Sequence, residues 1–175
     1  AARNCHKAVY HAIELHHLKP YYIYPPINTK YGINEGIYPQ DVEKMWITHQ
    51  NIQAIVITSP TYDGVVSDIE AICEIAHRHR VPVIVDEAHG AHLNLSDKLP
   101  KSALEQGADI VIQSLHKTLP AFTQSSILHV QGYLVDKKNL ERFLKIVQSS
   151  SPSYVLMSSL EIAIDIYDRY GKELM

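Results

Sequence analysis

The chain has 175 residues, 46% of them hydrophobic and 20% charged, which suits one globular domain with its own core. A formal net charge of −3 sets the bulk electrostatics against a nucleic-acid partner, and no apolar run approaches the roughly 20 residues of a membrane span. The two cysteines, Cys5 and Cys73, lie far apart and suggest no disulfide framework, so a reducing cytoplasm is the expected location.

Helical and strand patterns alternate along the chain. Spacing predicts a helix over about residues 5–17, with Val9, Ile13 and Leu15 on a buried side. Lys19 to Tyr24 reads as a strand stopped by Pro25-Pro26, and Asn28 to Tyr38 as a Gly-containing loop. Pro39, at a first helical position, opens a helix through about His49. Ala54 to Thr58 is a short continuous apolar strand, followed by the turn Ser59-Pro60-Thr61-Tyr62-Asp63-Gly64. Ser67-Asp68-Ile69-Glu70 has capping-box spacing and starts a helix to about His79. Val81 to Val85 is the next strand, with Pro82 tolerated near its start. Ser102 to Gln106 predicts a short helix ended by Gly107. Asp109 to Gln113 and Ser126 to Val130 are further strands, and helices over about 136–148 and 158–170 follow. The expectation is an α/β fold: a mainly parallel sheet in a three-layer α/β/α arrangement, its strands covered on both faces.

In such sheets ligands sit beyond the carboxyl ends of the strands. Two segments place chemistry there. Val83-Ile84-Val85 delivers Asp86, and Ile110-Val111-Ile112 is followed by Ser114-Leu115-His116-Lys117-Thr118. An acid and a lysine on separate strand ends are what a pyridoxal phosphate site needs. The lysine holds the aldehyde as a Schiff base, and the acid keeps the pyridine nitrogen protonated. Lys117 is the candidate lysine, since partial desolvation near positive charge frees an amine for attack; the plain alternative is a surface lysine. Asp86 is the candidate partner of the ring nitrogen, against an ordinary solvated strand end. Ser114 and His116 carry groups that donate well to phosphate, or are only loop polarity. Ala88 suits close approach of a flat ring, or ordinary packing.

Asp86, Glu87, His89 and His92 also form an acid/histidine cluster, of which Asp86, His89 and His92 could serve a metal hydrolase, although the spacing is not His-Glu-x-x-His and no further His or Cys cluster supports it. Asp86-Glu87-Ala88-His89 spells a helicase-type nucleotide motif too, but the phosphate-binding Gly-x-x-x-x-Gly-Lys-Ser/Thr loop that reading needs is missing from the chain.

Taken together, these residues give the chain a resemblance to the bacterial Orn/Lys/Arg decarboxylases, in the large domain of the aspartate-aminotransferase fold (PLP fold type I). The stretches that carry it are Arg3-Asn4-Cys5-His6-Lys7, Ser59 to Gly64, Val85 to His92, Ser114 to Pro120, and Ser151-Pro152-Ser153-Tyr154. They occur in the family's order, cover nearly the whole chain, and resemble most the shorter members without an N-terminal wing. The resemblance implies decarboxylation of arginine, lysine or ornithine to its amine, within polyamine metabolism, by a dimer or larger homo-oligomer. It implies that Lys117 holds the cofactor and that Asp86 pairs with the pyridine nitrogen. Ala88 would then pack on the ring and His6 stack on its other face. His89 would lie near the ring hydroxyl, Ser114 and His116 would contact phosphate, and residues 151–154 would approach a neighbouring subunit's site. From its residues alone, His6 reads as a helix-start surface residue.

Neither end reads as a protein terminus. Ala1 is no initiator, and Met175 falls inside a helical pattern. The expectation is that residues 1–175 are the central part of a cofactor-binding large domain, without the family's N-terminal Gly-Thr-Ser phosphate loop or its C-terminal small domain. That leaves two competing readings: a catalytically incomplete domain, or a different enzyme of the same fold, an aminotransferase or aldolase. The stacking His6 weighs against the latter, because many aminotransferases place an aromatic ring there.

Overall fold

A computed structural model describes residues 1–174. Its centre is a four-stranded sheet in the order β3-β4-β5-β6. Strands β3 (Ile55–Thr58), β4 (Val83–Asp86) and β5 (Ile110–Ser114) run parallel, and β6 (Ser126–Val130) closes the edge antiparallel to β5. At the other edge, Ala2 donates its N–H to the Val56 carbonyl and bridges in parallel to Ile23. The segment predicted as a strand over Lys19 to Tyr24 therefore makes one bridge and no ladder. The predicted loop that follows contains a small antiparallel pair, β1 (Ile27–Asn28) and β2 (Ile33–Asn34).

One face of the sheet is the core. Ile55 and Ile57 of β3 and Val83 and Val85 of β4 pack against Val42 of α2 (Pro39–Thr48) and Ile69, Ile72, Ile75 and Ala76 of α3 (Ile69–Arg78). Buried positions of α3 recur at helical spacing, which is why this stretch folds as an amphipathic helix against the sheet. Its N-cap is Asp68, whose carboxylate accepts from the Ala71 N–H at 3.0 Å. Ser67, the cap expected from the box spacing, instead accepts from the Ile37 N–H at 2.9 Å and so tethers the segment before α2.

Residues of the opposite face, Val56, Ile84 and Ile112, are only half-buried and line a large cavity. Ala8, Val9, Ala12 and Ile13 line the same cavity from the N-terminal helix. The N-terminal helix α1 (Lys7–Leu15) borders this cavity and buries no residue; Leu15, expected on a buried side, is 76% exposed. The predicted helix over Ser102 to Gln106 is a run of turns closed by Gly107 at φ +91°, so β4 connects to β5 through a 3₁₀ turn (Leu93–Leu95) and loops. A single helical turn, α4 (Leu115–Thr118), follows β5 directly. Helices α5 (Lys137–Val147) and α6 (Tyr154–Leu174) close the chain, α6 lying against the 3₁₀ turn. Among the described residues, no helix is long and apolar enough to cross a membrane. Both cysteines are free and buried.

Candidate functional site

The period-two alternation of a strand decides what β4 and β5 offer to the cavity. Val83, Val85 and Glu87 turn to the core side, leaving Ile84, Asp86 and Ala88 on the cavity side. On β5, Val111 and Gln113 turn inward while Ile112 and Ser114 line the cavity. The polypeptide then tightens into α4, whose single turn brings Lys117 back to the same space. One cavity of about 970 Å³ is therefore lined by Asp86, Ala88, Ser114, Lys117 and His6 together. In register, Asp86 stands between Thr58 of β3 and Ile112 of β5. The site thus sits at the carboxyl ends of three parallel strands, where the sequence placed it.

Each expected residue has a definite position. Asp86 accepts from the Ala88 N–H at 3.2 Å, which fixes one carboxylate oxygen and leaves the group half-buried. Lys117 is exposed, and its Nζ lies 3.3 Å from His89 Nε2. Burial lowers the His89 pKa, the neighbouring Lys117 ammonium lowers it further, and Asp86 opposes both. A neutral imidazole facing an ammonium accepts a hydrogen bond from it. His6 is the N-cap of α1: its Nδ1 accepts from the Ala8 N–H at 3.2 Å while the exposed ring borders the cavity. It is a helix-start residue and a cavity residue at once.

His116 is committed elsewhere. Its Nδ1–H donates to the Ser125 carbonyl at 2.9 Å, fastening α4 to the loop before β6, and it is not among the residues that line the cavity. His92 does not join Asp86 and His89 in a metal-holding group, and no such cluster of His, Cys, Asp or Glu occurs among the described residues. Burial lowers the His92 pKa and leaves its Nδ1 without a partner.

Two residues beside this site hold positions that the sequence reading does not give them. Tyr62, in the turn after β3, sets its ring edge against His89 at 5.5 Å between centroids; its place just past a strand's carboxyl end was the available signal. Glu87 is 1% exposed and accepts three hydrogen bonds. Counting by twos from Val83 and Val85 puts it on the core face, which was the signal for a buried charge.

An amine, a carboxylate, a hydroxyl and a small floor residue around one cavity match the donor set that pyridoxal phosphate requires. Hydrogen-bonding capacity is also open beside them: Thr58 Oγ1, next to Asp86 in register, and Thr118 Oγ1, next to Lys117, are buried without partners among the described residues.

The sequence profile of the Orn/Lys/Arg decarboxylase major domain matches residues 1–175. The chain belongs to this family. It is 40% identical over 173 residues to an arginine decarboxylase of Bacillus anthracis and 41% identical over 161 residues to one of Bacillus cereus, covering 99% and 92% of the chain respectively. It spans about a third (35%) of the length of each. Among solved structures, the constitutive lysine decarboxylase of Escherichia coli matches with a TM-score of 0.72 and 25% identity, over 94% of this chain and 25% of that one. The fold of this family member is accordingly the α/β fold expected, with a mixed sheet because β6 runs antiparallel.

Proposed function

We propose that the protein carrying this chain decarboxylates a basic amino acid with pyridoxal phosphate, and that residues 1–175 are the central part of its cofactor-binding domain. The observation that carries this reading is the convergence of Lys117 and Asp86 on one cavity from two adjacent strand ends. Arginine is the first substrate to test, because arginine decarboxylases match at 37–41% identity and lysine decarboxylases at 28–29%.

When bound, pyridoxal phosphate supplies an electron sink for the pair released as carbon dioxide leaves. The chain supplies position and charge. Lys117 presents its amine at the cavity mouth. Asp86 fixes a negative charge at the cavity floor, one oxygen held by the Ala88 N–H. Ala88 leaves room for a flat ring, and His6 offers an imidazole to the same cavity. Ser114 offers a hydroxyl for phosphate; His116, with Nδ1 engaged, retains only Nε2 for that task. His89 stands where it can take a proton from Lys117 and return it. Holding the substrate in one orientation selects which of its bonds breaks.

A dimer or larger homo-oligomer in the cytoplasm completes the proposal, with residues 151–154 near a neighbouring subunit's site; Tyr154 is 74% exposed. The deciding experiment supplies arginine, lysine and ornithine separately to the intact gene product with pyridoxal phosphate and measures carbon dioxide and keto acid. Carbon dioxide with the matching amine supports the reading. Keto acid in their place would move the protein to the aminotransferases, and neither product would leave it an inactive domain.

A further inference from the structure

Glu87 is one of the most buried side chains of the protein, yet it sits directly between two cavity residues, Asp86 and Ala88. Its carboxylate accepts from the Ser102 hydroxyl at 2.9 Å, the Ala103 N–H at 2.7 Å and the Gln113 amide at 2.6 Å. Three donors and no acceptor around one carboxyl group suit the ionised form. Gln113 is itself flanked by the cavity residues Ile112 and Ser114, and its Oε1 accepts from His129 Nε2 of β6 at 3.0 Å. One polar chain therefore runs along the back of the sheet, from the 102–103 turn through β4 and β5 to β6. In front of it stand the groups that the proposed chemistry uses.

The main chain follows the same course. The Glu87 N–H donates to the Ile112 carbonyl at 2.9 Å, extending the β4–β5 ladder one residue past Asp86. The Glu87 carbonyl accepts from the Gly90 N–H at 2.9 Å, closing the turn that carries His89 towards Lys117. Gly90 packs so closely that a Cβ there would lie 2.5 Å from Glu87 Cγ.

We infer that Glu87 is a positioning residue: its carboxylate clamps the ends of β4 and β5 together from behind, and thereby sets Asp86 and His89 against Lys117. This rests on the pyridoxal phosphate reading only for its consequence in the loaded protein; the clamp itself is a property of the chain. A merely structural carboxylate would change stability and leave the site's titration alone. A clamp changes the site even in molecules that remain folded.

The test compares the wild type with Glu87→Gln, with the swap Glu87→Gln/Gln113→Glu, and with the milder Ser102→Ala. In the swap, the amide at 87 keeps its oxygen on the Ala103 N–H and turns its NH2 to the carboxylate at 113, which accepts from His129, and to the Ser102 hydroxyl, which then accepts where it donated, so each pair of the chain keeps a hydrogen bond. The first readout uses the intact gene product without cofactor: the His89 imidazole followed by NMR against pH. The second is the visible absorbance that pyridoxal phosphate acquires on binding the intact gene product. Glu87→Gln is expected to move the His89 midpoint up towards that of a free histidine, as the Lys117 contact loosens, and to weaken cofactor binding at least tenfold. The swap is expected to restore both, whatever its melting temperature. Should Glu87→Gln fail to fold, Ser102→Ala is expected to move both readouts the same way by a smaller amount. An unchanged His89 midpoint in every folded variant overturns the inference. Absence of the visible band in the wild type counts against the cofactor reading alone, because the His89 titration still decides the clamp.

Discussion

Replacing Gly90 with alanine tests how tightly the turn behind the site is packed. The added Cβ would lie 2.5 Å from Glu87 Cγ, 2.8 Å from Pro60 Cδ and 3.0 Å from Leu93 Cδ1. The Leu93 side chain can rotate away. The Pro60 ring cannot, and Glu87 is held by three hydrogen bonds. Overpacking of this kind costs about 1–3 kcal/mol, and two immovable neighbours place this case in the upper half, about 2–3 kcal/mol. The backbone at Gly90 is not left-handed, so the penalty is steric, and the lower unfolded-state entropy of alanine returns about 0.4–1 kcal/mol. The net loss is about 1–2.5 kcal/mol, or roughly 2–10 °C in melting temperature for a domain of this size. Urea unfolding followed by circular dichroism measures it, with an unchanged slope expected. A Gly90→Ala chain within about 0.3 kcal/mol of the wild type would show that the turn yields freely and would refute the packing described.

Three further outcomes follow from the same structure. Ile57 is fully buried on the core face of β3, so Ile57→Ala should cost about 2–5 kcal/mol by the same unfolding assay. Asp86→Asn should leave the circular dichroism spectrum intact and lower carbon dioxide release by the intact gene product on the order of 10²–10³-fold, the usual cost of removing one preorganised charge. Burial depresses the pKa values of His89, His92 and His129 below their ordinary 6.5. The unfolded chain therefore binds protons first as pH falls, and stability should drop as pH is lowered through about 6.5. Glu87 acts oppositely, since burial raises its carboxyl above the ordinary 4.5, and its contribution is gained as pH falls through that raised value. Unfolding free energies at pH 7.5 and 6.0 check the sign.

Much of the site could be read from the order of residues because strand ends are short-range features. An apolar run that stops at Asp86, and another that stops just before Ser114, announce where the carboxyl edge of a parallel sheet falls, whatever the rest of the chain does. Lys117 belongs there because one helical turn after β5 returns it to that edge. The misreadings share one cause, competition from distant partners. Ser67 has the sequence of a cap but spends its hydroxyl on Ile37, thirty residues away. Residues 102–106 have helical composition, but Ser102 and Ala103 turn their donors towards Glu87. His116, a candidate phosphate donor by its chemistry, keeps only Nε2 for that role, because the loop at Ser125 takes its Nδ1–H. Glu87 reads as one member of the acid/histidine cluster, although its parity with Val83 and Val85 marks it as the buried one.

The pairing of Lys117 with Asp86 around one cofactor is most directly tested by trapping. The intact gene product is loaded with pyridoxal phosphate, reduced with borohydride, digested, and the labelled peptide is identified by mass spectrometry, in parallel with Lys117→Ala. The expected result is a single label on Lys117 and no visible absorbance band in the variant. A label on another lysine, or a band that survives Lys117→Ala, would contradict the assignment.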